Sequence, residues 1–294
     1  MILLTGASGF IGTHLLTALI NKYGTNNIVA LTSKPIYNVQ CIIHKDYSFS
    51  TDIFIKNKFE NIETIVHAGA FIPKNSIESN WIEKCNSNIV NTQKLLSSEL
   101  PNLKKIIFLS TVDVYGNETP LHEKSIINPI SLYGSSKLYC EKMIEIWANE
   151  NKITYQILRI GHVYGPGEER YQKLIPNTIR KILSDEPIEL YGTGEDLRTL
   201  IYITDVVQAI INSINLPQKN EIINIVGNEV ISVKKLIETI IKLSNKDIVI
   251  KQIVSNIPVR NLIFDNTKLI TLLGPPKVSL EEGLEAEIEY FEHL

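Results

Sequence analysis

Cysteine is scarce and ungrouped: Cys41, Cys85 and Cys140 are scattered and odd in number. That argues against a disulfide framework and for a reducing compartment, the cytoplasm. No Cys-x-x-Cys occurs and the 6 histidines show no metal-ligand spacing, so no metal site is expected. No apolar run approaches the ~18 residues that a spanning helix needs. The opening Met1-Ile2-Leu3-Leu4-Thr5-Gly6 lacks the basic region and cleavage site of a signal peptide. An excess of one charge is also missing. Lys and Arg number 29 against 32 Asp and Glu, net −3, which leaves no basic field for nucleic acid or an anionic membrane. What remains is an ordinary globular composition, 44% hydrophobic over 294 residues. That is enough chain for one large α/β domain or a domain plus a smaller lobe.

The first half alternates short Ile/Val/Leu runs with helical patterns. Strands are expected at 2–5, 28–31, 40–43, 64–67, 105–109 and 154–159, and helices at 12–21, 86–100 and 131–149. Such alternation marks a parallel sheet covered by helices on both faces, and strands buried on both sides read as continuous apolar runs. After Gly161 the texture changes. Gly165-Pro166-Gly167, Pro176, Pro187, Gly192 and Gly194 punctuate the chain, followed by a strand at 222–226 and amphipathic helices at 233–243 and 281–292. The expected division is a sheet domain of 1–164 plus about 200–226, interleaved with a smaller lobe of 165–199 and 227–294.

Gly6, Gly9 and Gly12 stand in G-x-x-G-x-x-G spacing between the first strand and the first helix. Glycines there allow a tight turn and let the backbone approach a pyrophosphate at a helix N-terminus. About twenty residues on, a carboxylate would bind the ribose 2′-hydroxyl of NAD. Here the second strand runs instead into Thr32-Ser33-Lys34. Two hydroxyls and a lysine suit a 2′-phosphate, so NADP(H) is preferred, with NAD(H) possible.

Tyr133-Gly134-Ser135-Ser136-Lys137 opens a long helix, and positions i and i+4 share one face. Phenol has an unperturbed pKa near 10, and a neighbouring cation lowers it. Bringing it to about 7 takes roughly 4 kcal/mol of differential stabilisation. Thr111 ends a central strand, where ligands sit in open α/β sheets, and its hydroxyl can bond a substrate oxygen.

Together these segments resemble the extended short-chain dehydrogenase/reductase family, in its NAD-dependent epimerase/dehydratase branch acting on nucleotide sugars. The resemblance spans nearly the whole chain. It runs through Thr5–Gly12, His67-Ala68-Gly69-Ala70, Asn88-Ile89-Val90-Asn91-Thr92, Thr111–Gly116, Tyr133–Lys137, Leu158–Pro166, Tyr191–Asp205 and Asp265-Asn266-Thr267-Lys268. It implies a doubly wound Rossmann sheet with a smaller substrate-binding lobe. It implies a catalytic trio of Thr111, Tyr133 and Lys137, with Tyr133 and Lys137 also touching the cofactor. Gly6, Gly9, Phe10, Ile11 and Gly12 would hold the pyrophosphate, Ala68 and Gly69 would line the nicotinamide side, and Asp46 and Tyr47 would meet adenine. Asn88 matches a helix asparagine near the active site, and Arg198 and Arg260 match arginines on the substrate diphosphate. The family's usual assembly is a homodimer through a four-helix bundle, here the helices after Asn86 and after Ser131.

Two departures carry information. His162 stands where the family places an asparagine on the nucleotide diphosphate. The family's 4,6-dehydratases carry an Asp-Glu pair after the catalytic threonine, where this chain has Val112 and Asp113. Valine cannot protonate a leaving hydroxyl, which disfavours dehydration, whereas Asp113 keeps a carboxylate at the substrate. The leading expectation is an NADP(H)-dependent reductase of a nucleotide-linked 4-keto-6-deoxy sugar. The alternative is a nucleotide-sugar 4-epimerase with tightly held NAD. A non-catalytic NADP-binding regulator would require a broken trio, and the trio is intact.

Overall fold

A computed structural model describes residues 1–116, 119–217, 219–255, 259 and 261–294. The first half builds β1 (Ile2–Thr5), α1 (Phe10–Tyr23), β2 (Ile28–Thr32), β3 (Gln40–Ile43), a short α2 (Ile53–Lys56) and β4 (Thr64–His67). Then come α3 (Ile82–Leu96), β5 (Lys105–Thr111), α4 (Leu132–Glu150) and β6 (Thr154–Ile160). The second half runs β7 (His162–Tyr164), α5 (Leu174–Leu183), β8 (Ile188–Tyr191), β9 (Leu197–Tyr202), α6 (Ile203–Asn215) and β10 (Glu221–Ile225). It ends with β11 (Val230–Ser232), α7 (Val233–Leu243), β12 (Ile250–Ile253), α8 (Thr267–Leu273) and α9 (Leu280–Glu292).

Seven strands form one parallel sheet in the order β10-β6-β5-β4-β1-β2-β3. Successive strand residues point to opposite faces, and both faces are filled. Leu4, Ala30, Val66, Ile107 and Leu158 join one core with Leu15, Leu19, Val206 and Ile210. Their neighbours Leu3, Val29, Ile65, Ile106 and Ile157 join the other with Leu95, Cys140 and Ile144. Double-sided burial is why these strands read as unbroken apolar runs. Strand order reverses between β1 and β4, and a crevice opens there beyond the carboxyl ends of the strands.

A separate core joins Ile175 and Ile179 of α5, Leu236 and Ile240 of α7, and Leu284 and Ile288 of α9. Small sheets β11-β9-β7 and β12-β8 flank it. A capping box of Ser279 and Glu282 starts α9.

Most element bounds shift by a residue or two from the sequence expectation, and three differences have a physical reason. α1 begins at Phe10, because Gly9 already serves as its N-cap. α3 spans Ile82–Leu96 rather than 86–100. Its first turn is solvent-facing and shows no apolar stripe, and beyond its end the Glu99 amide bonds Thr51 O at 2.8 Å. The segment between Gly161 and Glu221 holds β7, α5, β8, β9 and α6, none of which stands out against its Gly and Pro punctuation. Among the described residues, no helix is long and apolar enough to cross a membrane and no metal-binding cluster occurs.

Candidate active site

The turn from β1 to α1 is closed by contacts that only glycine allows. Gly6 has φ +71°, and a Cβ there would stand 2.6 Å from the Gly69 nitrogen. A Cβ at Gly12 would lie 1.9 Å from the Gly6 carbonyl oxygen, while the Gly9 amide donates to that oxygen at 2.9 Å. α1 thus starts with no side-chain cap. Its first amides face a cleft of about 640 Å³, lined by Gly6, Gly9, Phe10, Ile11 and Gly12. A helix N-terminus of this kind favours an anionic phosphate, so the cradle fits a dinucleotide.

The end of the cleft beyond β2 is lightly built. Thr32 and Ser33 line it, and the Thr32 hydroxyl donates to the Lys34 carbonyl at 3.0 Å. Lys34 is exposed and is not among the described residues lining the cleft. Asp46 and Tyr47 line it from consecutive left-handed positions, φ +51° and +54°. Burial pushes the Tyr47 phenol up to about 12, against a hydrogen bond with Thr5. His44, unforeseen from the sequence, also lines this end. Its ring lies 4.5 Å from that of Tyr47, and its Nδ1 accepts the Tyr47 amide at 3.0 Å.

Ala68 and Gly69 line the middle of the cleft, and a buried polar chain fixes them. The Gly69 amide donates to Thr5 Oγ1 at 2.8 Å, and Thr5 Oγ1 lies 2.8 Å from His67 Nδ1. Thr92 Oγ1 gives its proton to the Asn88 carbonyl at 2.8 Å, so towards His67 Nε2, 3.0 Å away, it accepts. The network therefore assigns the hydrogen to Nε2 and leaves Nδ1 as acceptor. Burial, then Lys137, holds the His67 ring neutral, with its pKa pushed down to about 3.

Thr111, Tyr133 and Lys137 meet beside this chain and all line the cleft. Thr111 is the last residue of β5. Ser131 caps α4 by accepting the Gly134 amide at 3.1 Å. A Cβ at Gly134 would stand 2.3 Å from the Asp113 carbonyl oxygen, so glycine lets the first turn of α4 rest on the turn after β5. Burial, reinforced by Asp113, holds the Tyr133 phenol well above its usual range, opposed by a hydrogen bond with Thr111. Burial lowers the Lys137 ammonium to about 8, opposed by Cys140 and Glu141. Lys137 Nζ sits 4.1 Å from the centre of the Phe108 ring. The chain therefore presents a protonated phenol beside a cation that titrates near neutrality.

Behind the trio lies an ion pair that the sequence reading missed. Arg159 donates from Nε to Glu141 Oε1 at 3.1 Å and from Nη2 to Oε2 at 2.7 Å, with both side chains buried. Ser110 Oγ donates to Glu141 Oε1 at 2.5 Å. Arg159 Nη1 donates to the Tyr115 hydroxyl, which donates to Asn224 Oδ1, each at 2.8 Å. The only local signals are a glutamate one turn after Lys137 and an arginine inside an apolar strand.

The substrate-side candidates separate into three groups. Asp113 and His162 line the cleft, and Thr111 Oγ1 lies 3.3 Å from Asp113 Oδ2. Asn88 is buried inside the structure instead. Its Oδ1 accepts the Phe71 amide at 2.7 Å and its Nδ2 donates to Ser136 Oγ at 3.2 Å. It pins the loop after β4 onto α4. Arg198 donates to the Leu197 carbonyl at 2.9 Å and is not among the described residues lining the cleft. Arg260 lies outside the described residues. Besides Lys137, the described cations that line the cleft are Lys74, Arg170 and Lys173. None belongs to a motif read from the sequence.

The description "NAD dependent epimerase/dehydratase family" fits residues 2–226 of this chain. A dTDP-4-dehydro-6-deoxyglucose reductase of Escherichia coli is 32% identical over 307 residues, 98% of this chain and 96% of that protein. A UDP-glucose 4-epimerase of Thermotoga maritima, solved with UDP-glucose, superposes with TM-score 0.85 at 29% identity, covering 99% of this chain and 98% of that one. A UDP-glucuronic acid 4-epimerase of Bacillus cereus, solved with NAD, superposes with TM-score 0.86 at 27% identity over the same shares. With the glycine cradle and the parallel sheet, these likenesses make the chain a member of the NAD-dependent epimerase/dehydratase family.

Proposed function

We propose that this protein is an NADP(H)-dependent reductase of a nucleotide-linked 4-keto-6-deoxy sugar. The observation that carries hydride chemistry at a sugar carbon is the meeting of Thr111, Tyr133 and Lys137 at the glycine-lined cleft. A nicotinamide dinucleotide held in this cleft would supply the hydride that C4 of the sugar accepts. Thr111 Oγ1, turning its one proton away from Asp113 Oδ2, hydrogen-bonds the keto oxygen and orients it. Tyr133 gives its phenolic proton to that oxygen as the carbonyl becomes an alcohol. The Lys137 ammonium stabilises the phenolate left behind. Gly6 to Gly12 and the first amides of α1 hold the pyrophosphate, and Ala68 and Gly69 border the nicotinamide. Asp46, Tyr47 and His44 face the adenine end. His162 faces the nucleotide sugar from β7. Residues 1–164 with about 200–226 hold the dinucleotide, and 165–199 with 227–294 hold the nucleotide sugar.

Two features favour reduction over the other chemistries of the family. Val112 has no proton for a leaving hydroxyl. No carboxylate closes β2 to anchor the ribose of a permanently retained NAD, and Ser33 with Lys34 suits a 2′-phosphate. The 4-epimerase reading rests on the likeness to the Thermotoga maritima structure. The protein is also read as a homodimer through α3 and α4. Tyr139 and Ile146 stand one heptad apart on α4 and are each 59% exposed, and Ile82 on α3 is 74% exposed. A charge at Tyr139 or Ile146 is expected to split that dimer, read by sedimentation.

The deciding experiment supplies dTDP-, CDP- or GDP-4-keto-6-deoxyhexose with NADPH or NADH and follows nicotinamide absorbance. NADPH consumption with little dinucleotide in the purified protein is the expected result. One NAD per chain on purification, with C4 epimers interconverted and no NADPH consumed, would replace this reading with the epimerase.

A further inference from the structure

Two carboxyl groups outside the trio are sealed together in the interior. Glu168, on the loop between β7 and α5, is 1% exposed, and Glu287, on α9, is 0% exposed. Lys173 Nζ bonds Glu168 Oε2 at 3.0 Å and the Val163 carbonyl at 3.1 Å. Among the described residues, Glu168 Oε1 and both oxygens of Glu287 lack a well-formed hydrogen bond, and the Gly165 amide is the backbone donor that acts on both carboxyls. The two carboxyl groups face each other. Tyr164 of β7 and Tyr202 of β9 also face the pair, with Asp205 and Glu229 beyond Tyr164. The Tyr164 hydroxyl is directed to the Leu280 carbonyl at 3.4 Å.

One cation cannot balance two buried carboxylates, so one carboxyl keeps its proton. Glu168 accepts from Lys173 and is the carboxylate. Glu287, facing Glu168 with no cation at bonding distance among the described residues, is the acid. Burial first and Glu168 second push its pKa up, opposed by Lys173 and the Gly165 amide. The result is a neutral-acid, carboxylate, ammonium relay that leads from α9 to the cleft.

Lys173 is where the relay meets the site. It lines the cleft, and its ammonium lies 5.0 Å from the ring centre of Tyr171 and 5.7 Å from that of Phe10, the first residue of α1. The same loop is tied to α9 again by Tyr290, whose hydroxyl donates to Glu169 Oε2 at 3.2 Å. It is tied to α1 through His14 Nε2 and the Pro166 carbonyl at 2.7 Å.

We propose that Glu287 is a positioning residue for the cleft: a neutral carboxylic acid that donates its proton to Glu168 and so holds the Glu168–Lys173 pair against the cleft wall. Its effect on turnover rests on the functional reading given above; its protonation does not. Above about pH 5 the unfolded carboxyl is ionised while the folded one stays neutral, so the folded state holds one proton more. Stability then falls as pH rises, about tenfold in the folding equilibrium constant per pH unit for this one group. An ionised, ion-paired Glu287 would give no slope in this window, because the carboxyl would be ionised in both states.

The test compares chemical denaturation of the wild type and Glu287→Gln between about pH 5 and about pH 8.5. Glutamine keeps an N–H donor towards Glu168 and cannot titrate. The expected result is a flatter pH dependence in Glu287→Gln, by about one proton. Equal slopes would overturn the proposal. The second readout is steady-state kinetics at about pH 7. Glu287→Leu, which removes the donor, should raise KM for the nucleotide sugar by about tenfold while kcat changes little, as for one misplaced charged hydrogen bond. Glu287→Gln should restore KM to within about twofold of wild type. If both variants kept the wild-type KM, Glu287 would position nothing. Failure of the reductase reading would show as no NADPH turnover in any variant, with the slope difference intact.

Discussion

The two ends of the cleft are built on different principles. At the trio, polar atoms are buried and bonded: Thr111 to Asp113, His67 between Thr5 and Thr92, Glu141 between Ser110 and Arg159. Beyond β2 the chain offers exposed Ser33 and Lys34 and two left-handed residues, Asp46 and Tyr47. Proton transfer needs groups held in place before the reaction, because misplacement at the reacting atoms costs rate directly. Recognition of a phosphate by an exposed cation tolerates movement and gains little from each contact. Substitutions should therefore have large effects at the trio and small ones at β2, and that gradient can be broken by measurement.

The largest effect is expected for Tyr133→Phe. The ring still fills the buried site, but the proton donor is gone. Turnover should fall by about 100-fold or more, the usual worth of a positioned general acid. NADPH affinity, read by fluorescence titration, should be nearly unchanged. Near-wild-type turnover would remove Tyr133 from the chemistry.

Lys137 comes next and carries a pH signature. Its ammonium titrates at about 8, lowered first by burial. Below that value the cation supports the departing phenolic proton, so the reduction rate should fall as pH rises through it. Lys137→Met should be slower by about 100-fold and lose that limb. Folding stability moves the other way. Between about 8 and the usual 10.5 the unfolded lysine holds a proton that the folded one has released, so stability rises with pH in that window. A wild-type profile flat through pH 8, with activity intact, would uncouple Lys137 from proton transfer.

Asp113→Asn should sit in the middle. The carboxylate bonds Thr111 and borders the substrate space. Simple ketone reduction needs no carbon base, and asparagine still accepts from Thr111. The rate should drop only a few-fold, by the worth of one weakened hydrogen bond. Collapse of activity in Asp113→Asn, with solvent deuterium entering C3 or C5 of the product of the wild type, would show that Asp113 abstracts a carbon-bound proton.

What was legible in the chain follows the same division between local and distant order. The strands Ile2–Thr5, Gln40–Ile43 and Thr64–His67 and the helix Val233–Leu243 have the bounds their apolar patterns indicate. The glycine turn and the Tyr133–Lys137 spacing are short-range patterns and show in the residues themselves. The chain from Gly69 through Thr5 and His67 to Thr92 joins β1, β4 and α3 across long sequence distances. Glu168 and Glu287 meet only because α9 packs against the β7–α5 loop. Such pairings have no period and no motif. For the same reason the cleft cations Lys74, Arg170 and Lys173 carry no motif, whereas Arg198, which a motif does single out, donates to the adjacent Leu197 carbonyl.

The smallest effect is expected for Lys34→Ala, and it is the sharpest test of the lightly built end. Only NADPH carries a 2′-phosphate, so the substitution should weaken NADPH and leave NADH unchanged. Lys34 is exposed and stands off the cleft wall, where a cation on a flexible stem reaches a phosphate through water and salt. An exposed pair of this kind contributes about 1 kcal/mol or less, so the loss should be about fivefold at most and shrink as salt rises. The Thr32 hydroxyl cannot make up the difference while it donates to the Lys34 carbonyl. Titration of both cofactors at low and high salt reads the result. Equal losses for NADPH and NADH would make Lys34 a bystander. A salt-independent loss well above tenfold would mean that the loop closes around the phosphate, and that the two ends of the cleft are equally fixed once the cofactor is bound.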